Sequence, residues 1–555
     1  MENNPLNSPP FTNIFYILLF HQTDRIMKSH IGLLLLVLAS SCCSKGKVPP
    51  GTPPASEDVP AVEDSSAVVK EDDPFKFTLP PEKEGPSNGY RVFVLQEEGW
   101  QEMTVRDALC SNASRHGSIW NDWDNSKALR DTMSFCIFED RFQGPVDVIV
   151  HKLGGPATNP SVRPTPWGIR PQALDENTIR FTLPSYNMRK VSVEFDGDRQ
   201  HNLFLFPHRP DKDKPDPKAS GVKYFGPGEH DAGKIDLYNG QTLYIDYGAV
   251  VYGQVRVMSD NCTIAGHGIL SGEKMRHWGE QYSNGDIIIN CNPSRYTTLK
   301  NLTVKDITVI DGPSWNLSIY NFDGVLVDGV NMIGWELNGD GIDLVSSQNA
   351  EIRNCFLRNY DDCITLKVRF NANPVSDLAH VHVHDNLIWN DFARGIVVGP
   401  ESGNRDYGTG FIHDVLIEDC IILQHKAGVK NDDLRAGFAI GQYASPDHNW
   451  GGGTAERITG ITARNLLFDN IDKTGRNVAI WQYPDMDGTC YMNDITLENF
   501  TILDGNGVMT PAFYAKANQH SIRGLHIKNF VFNGQKITNP GAHFVLSGDV
   551  EADFQ

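Results

Sequence analysis

Eight short stretches in the second half of the chain share one hydropathic shape. They are VKDITVI (304–310), VDGVNMI (327–333), IRNCFLR (352–358), VHDNLIW (383–389), IEDCIIL (417–423), ARNLLFD (463–469), LENFTIL (497–503) and IKNFVFN (527–533). Each runs apolar, polar, then Asn, Asp or Gly, then a β-forming run. The anchors are Asp306, Gly329, Asn354, Asp385, Asp419, Asn465, Asn499 and Asn529, spaced 23 to 46 residues apart. Short strands and turns at that period predict a β-solenoid whose longer intervals carry inserted loops. Asn, Asp and Gly share the anchor because they tolerate a left-handed turn between strands. The next residue (Ile307, Val330, Cys355, Asn386, Cys420, Leu466, Phe500, Phe530) should stack inside. Cys355 and Cys420 then read as small core residues rather than ligands or disulfide partners. The fold class is all-β: a right-handed single-stranded parallel β-helix over 220–555.

Upstream, YRVFVLQ, VDVIVHKL, TIRFTLP, VSVEFDGD and HNLFLFPH alternate or cluster β-formers between Gly, Pro and Asp turns. They predict an N-terminal β-sandwich-like accessory domain over 76–215, with one helical insertion near 103–115. PHRPDKDKPDPKASG (207–221) reads as a linker into the solenoid. The first 43 residues read as an address. Two apolar runs, IFYILLF (14–20) and IGLLLLVLA (31–39), are too short for ordinary membrane-spanning helices. The second follows Met27-Lys28, a candidate true start, and ends Ala39-Ser40-Ser41-Cys42. A basic start, a short apolar core and small residues make a secretory leader. Its end resembles a lipoprotein signal that would lipidate Cys42, against a plain leader with Cys42 incidental. Residues 44–75, rich in Pro, Ser and acid, predict a disordered tether. The expected location is the outer membrane or cell surface through a lipid anchor, or the periplasm, as a monomer.

A formal net charge of −20 argues against nucleic acid as a partner, because a phosphate backbone wants a basic face. The cysteines show no CxxC pair and no metal spacing, which leaves a Cys110–Cys136 pairing open.

Candidate chemistry lies in NGDGIDLVSS…NYDDCITLK (338–367), where Asp340, Asp343, Asp361 and Asp362 sit among strand-forming apolar residues. Asp340 precedes Asp361 by 21 residues and Asp362 by 22, about one coil. Asp340 should therefore lie one rung, about 4.8 Å, from the Asp361–Asp362 pair. Carboxylates that close repel, so at least one pKa should rise. A protonated and an ionised carboxylate across a small gap are what an inverting glycoside hydrolase needs. An Asp/Asn ladder or a structural calcium site is the bland alternative. His380, His382 and His384 alternate on one strand, which reads as a solvated face more readily than as a metal face.

These residues resemble the polygalacturonase family of glycoside hydrolases. NGDGID, followed by DDCITLK, is similar to its Asn-Thr-Asp-Gly-Ile-Asp and Asp-Asp-Cys-Ile-x-x-Lys. GPSWNLSIYNFDGVLVDGV (312–330), TIAGHGILSG (263–272) and ARGIVVGPESG (393–403) resemble other rungs of it. The resemblance implies Asp361 as general acid, Asp340 and Asp362 as the pair that holds and activates water, and no metal or other cofactor. Asn338 falls in the first motif; Lys367 matches a lysine of the second, in a supporting or charge-tuning role. Arg394 stands where the family has histidine, and Ala479-Ile480-Trp481 where it has Arg-Ile-Lys. Recognition of galacturonate is thereby in doubt; Arg394 supplies one cation, and Trp481 and Tyr483 are candidates to stack on a sugar. The dextranases share a β-helix, an aspartate trio and an N-terminal β-domain, which favours a neutral glycan. The expected partner is thus a polysaccharide or oligosaccharide; a lyase using Arg394 as base, or a non-catalytic glycan binder, remains an alternative.

Overall fold

The computed structural model describes residues 76–555 except 82–86, 88, 112–129, 140–143, 185–189, 278–285, 369–375, 400–409, 427–434, 443–456, 470, 472–475, 483–490, 504–510 and 516–520. The leader, Cys42, the tether and Tyr483 therefore lie outside the described residues. Glu71–Gln555 form one compact unit. Among the described residues helix is confined to a 3-10 turn at Thr165–Trp167, and no helix is long and apolar enough to cross a membrane.

From Val222 onward the chain winds into a right-handed parallel β-helix. One wall is a 12-stranded sheet, and the remaining strands join into a 21-stranded sheet; the coil-to-coil pairings are parallel. All eight anchors adopt the left-handed conformation, with φ between 49° and 73°. Their side chains form ladders: Asn465 donates to Asp419 at 2.9 Å, Asn499 to Asn465 at 2.9 Å, and Asn529 to Asn499 at 2.8 Å. The residues that follow the anchors are all buried inside the solenoid. Cys355 and Cys420 are free and buried, and burial pushes both thiols up to about 12. Asn386 is the one polar member of that stack. It accepts from the Cys355 N–H at 2.9 Å and donates to the Ile352 carbonyl at 3.0 Å, so its amide is satisfied.

A second left-handed row lies five residues before the first, at Asn301, Gly324, Asn349, His380, Asp414, Gly460, Asp494 and Gly524. These positions fall in gaps of the ladder, as between the Lys300–Asp323 and Leu302–Val325 pairs. Sequence reading missed this row because it sits within β-formers rather than between them. His382 and His384 lie on the outer face of the 12-stranded sheet, their rings stacked at 4.1 Å. His382 meets Glu418 at 2.8 Å and His384 meets Glu351 at 3.0 Å, while Arg464 and Arg353 pair with the same two glutamates. Glu351, His382 and His384 are close enough for a metal set, yet each already belongs to this ion-pair ladder.

Residues 90–208 form two five-stranded sheets that share one apolar core, including Val92, Val148, Phe138, Val193 and Leu205. The expected helix near 103–115 is instead the strand Val105–Ser111, paired antiparallel with Arg130–Glu139. Cross-strand pairing overrides local propensity there. Cys110 and Cys136 are free: they sit on these adjacent strands, but Cys110 faces Asp131 and Cys136 faces Val105. The second sheet is buried on both faces, which is why SFCIF and LFLFP read as unbroken apolar runs. Its outer face packs Phe135, Phe204 and Phe206 against Phe356, Trp389 and Leu423 of the solenoid. The charged stretch after His208 is fastened to the first coils. Lys214 pairs with Asp246 at 2.7 Å, and the Tyr244 hydroxyl donates to Asp211 at 2.7 Å.

Candidate active site

Asp340 precedes the strand Ile342–Val345, Asp361 and Asp362 precede Ile364–Lys367, and Arg394 precedes Ile396–Val398, three strands on neighbouring coils. Ile342 stands opposite Ile364, and Ile364 opposite Ile396. The Gly341 N–H donates to the Asp362 carbonyl at 2.8 Å and the Cys363 N–H to the Arg394 carbonyl at 2.9 Å. Asp340, Asp362 and Arg394 therefore stack in one column at rung spacing, with Asp361 beside it. The rungs approach closely here: a Cβ on Gly341 would lie 2.3 Å from the Cys363 carbonyl oxygen. That contact explains the second glycine of NGDGID.

Within each strand, alternate residues go to opposite sides. Ile342, Leu344, Ile364 and Leu366 enter the core. Asp343, Thr365 and Lys367 face outward, yet they are fully or almost fully buried. The Thr365 hydroxyl donates to Asp343 at 2.6 Å. The Lys367 ammonium lies 2.9 Å from Asp343 and 3.7 Å from Asp340, and 4.4 Å from the centre of the Trp315 ring. A buried ammonium thus underlies the carboxylates. Burial, and then the charges of Asp343 and Asp361, push the Asp340 carboxyl well above the usual range, while Lys367 opposes the shift.

Asp361 and Asp362 are held from behind. The Asp362 N–H donates to Asp361 Oδ1 at 3.0 Å, and Asn390 Nδ2 donates to the Asp361 carbonyl at 2.6 Å. Arg394 Nη1 donates to Asp362 Oδ2 at 2.7 Å. The Arg394 guanidinium lies 5.7 Å from the centre of the Trp481 ring. Trp481 is only 2% exposed and packs among Val397, Ala436, Ala439 and Ala479. The structure thus places it under Arg394, with room made by Gly441, where a Cβ would lie 2.3 Å from the indole. Asn338 is a half-buried left-handed residue (φ 53°), two positions before Asp340.

Sequence reading missed three supports. Asp343 is named in the motif; what the sequence does not show is its pairing with Lys367, which depends on the face of the strand it takes. Asn316 donates to the Asp340 carbonyl at 2.8 Å, and Asn390 does the same for Asp361 from the next coil. No local pattern marks those two asparagines as neighbours of the aspartates. A cleft of about 700 Å³ lies elsewhere, where His208–Asp213 run past the anchors Asp306, Gly329 and Asn354; it contains none of the aspartates of the motif.

The class defined by the structure is a parallel β-helix that carries a column of buried carboxylates with one cation below and one beside them. Residues 249–433, which contain Asp340, Asp361, Asp362, Lys367 and Arg394, match Glycosyl hydrolases family 28. Over those residues the chain is similar to that family. It is 29% identical over 124 residues to a polygalacturonase of Juniperus ashei, covering 21% of this chain and 24% of the relative. It is 27% identical over 216 residues to a polygalacturonase of Chamaecyparis obtusa, covering 37% and 38%. A probable exopolygalacturonase X of Aspergillus fumigatus is 23% identical over 219 residues, covering 38% and 47%. The chain thus spans less than half the length of these relatives. Among solved structures, Dex49A from Penicillium minioluteum aligns over 86% of this chain and 96% of its own, with TM-score 0.60 and 16% identity, a likeness of fold.

Proposed function

We propose that this chain is an exported glycoside hydrolase that cleaves a polysaccharide with inversion and without a metal. The observation that carries the reading is the column Asp340–Asp362–Arg394, with Asp361 beside it and Lys367 beneath. Asp361 donates a proton to the glycosidic oxygen as the bond from the anomeric carbon breaks. Asp340 and Asp362 orient a water on the other face of the sugar and accept its proton as the new C–O bond forms. One water is consumed, and the anomeric configuration inverts. The upward shift of Asp340, caused by burial and the neighbouring carboxylates, supports a cluster that holds a proton more tightly than free aspartates do. The choice of Asp361 as donor rests on the motif.

The substrate in this reading is a neutral or mixed-sugar glycan rather than plain polygalacturonate. Arg394 is engaged with Asp362, and Ala479 and Trp481 occupy positions where the family carries cations. Trp481 acts by supporting Arg394, and Asn338 and Tyr483 remain candidates to touch sugar. The leader directs export, and lipid on Cys42 anchors the enzyme to the membrane. A polysaccharide panel read for new reducing ends, with the product anomer followed by proton NMR, tests the reading. Inverted reducing-end products are expected. Unsaturated ends absorbing in the ultraviolet would make it a lyase; binding without products would make it a glycan-binding protein.

A further inference from the structure

Behind the Asp361–Asp362 turn runs a buried polar chain that the reaction above does not use. Arg358 lies three residues before Asp361, on the strand Phe356–Asn359, and is fully buried. Its Nε donates to Asp391 Oδ2 at 3.1 Å, and its Nη1 donates to Asn202 Oδ1 at 3.0 Å. Asn202 belongs to the N-terminal sheets, on the strand Asp198–His208. Asp391 is also gripped by Trp389 Nε1 at 3.1 Å, and its own N–H donates to the Asn359 carbonyl at 2.9 Å. The preceding residue is Asn390, the donor to the Asp361 carbonyl. Arg358 and Asp391 thus hold one end of the 359–362 turn, and Asn390 holds the aspartate end.

The chain continues into the N-terminal sheets. Asn202 donates to the Ser192 hydroxyl at 2.8 Å, and Ser192 donates to Glu194 at 2.9 Å. Glu194 accepts from Arg163 at 3.1 Å, and Arg163 returns to the solenoid at the Leu423 and Asp469 carbonyls. Asn202, Ser192, Glu194, Arg163, Arg358 and Asp391 are all buried. Apolar residues of the same volume would stabilise such an interface at least as well as buried ions. What a continuous run of directional bonds adds is position. An open link would leave a buried guanidinium or carboxylate without its partner, so the chain holds as a unit.

We propose that the N-terminal sheets are a positioning element for the reaction: Asn202, acting through Arg358 and the Asn390–Asp391 pair, sets where the Asp361 and Asp362 carboxylates stand. The proposal rests on the glycoside hydrolase reading for its consequence, but not for its geometry. Asn202→Ala removes the acceptor for Arg358 without touching either aspartate. A misplacement of about 1 Å costs on the order of 100-fold in rate, so a kcat loss of about 10- to 100-fold is expected. KM should stay near the parent value, and the pH–rate profile should shift. Asn202→Asp keeps an acceptor oxygen in place and should retain most of the turnover. Val148→Ala, in the core of the N-terminal sheets and outside the polar chain, should lower the melting temperature and leave kcat and the pH profile unchanged. Crystal structures of the full-length parent and Asn202→Ala give an independent reading, with a displaced 359–362 turn expected. An unmoved turn overturns the proposal whatever the kinetics. A moved turn with parental kcat and pH profile overturns the positioning role. A parent inactive on every glycan, with the turn displaced in the variant, overturns the hydrolase reading and leaves the structural coupling standing.

Discussion

Replacing Lys367 by Met removes the ammonium that underlies the carboxylates while keeping its bulk. Lys367 and Asp343 are both essentially buried, and Asp340 nearly so, with side-chain exposures of 1%, 0% and 6%. Solvent therefore screens this pair little. Breaking a buried pair by deleting one partner costs about 3–5 kcal/mol, because the remaining charge stays uncompensated. Unfolding entropy of about 2.1 cal/mol/K per residue, summed over Glu71–Gln555, comes to roughly 1 kcal/mol per degree. Lys367→Met should then melt about 3–5 °C below the parent at pH 8. The sign with pH follows from Asp340. Lys367 lowers its pKa, so the substitution raises a folded-state value that already lies above the ordinary 3.8. For such a carboxyl the stability is fully present below the unfolded pKa and is lost as pH rises through the folded one. The deficit should be small at about pH 4, where the folded carboxyl is protonated and the unfolded one partly so, and should grow as pH rises. Differential scanning calorimetry of parent and variant across that range measures it. A variant melting with the parent at pH 8, or a deficit equally large at pH 4, would refute the buried charge pairing.

The reaction assignment predicts that Asp361→Asn lowers kcat by about 10²–10⁴-fold with an unchanged melting curve, and that Asp340→Asn and Asp362→Asn also abolish most turnover. Near-parental rates in all three would remove the site. Arg394→Ala should lower turnover and shift the pH optimum, because it frees the charge on Asp362. Weak or absent hydrolysis of unsubstituted polygalacturonate is expected beside better activity on a neutral or mixed glycan; rapid depolymerisation of plain polygalacturonate would return the enzyme to pectin. Cys42→Ala should move the protein from the membrane fraction to the soluble one, checked by fractionation and lipid labelling of the parent.

The coil is legible in the chain alone. Eight anchors fall on left-handed residues because a tight turn between strands admits only a few side chains, and that restriction is local. The offset of about one coil between Asp340 and the Asp361–Asp362 pair likewise fixed the carboxylate column, because in a solenoid sequence separation converts directly into rungs. What surrounds that column comes from long-range packing. The face taken by Asp343 and Lys367, the support of Arg394 by Trp481, and the strand at Val105–Ser111 all depend on partners distant in sequence. The second left-handed row is hidden because its residues interrupt strands instead of ending them. Asn202 and Arg358 are 156 residues apart and meet only because the second N-terminal sheet presses both faces into apolar surroundings. A buried hydrogen bond between separate layers leaves no period in the chain, since neither residue's neighbours in sequence report the partner that satisfies it.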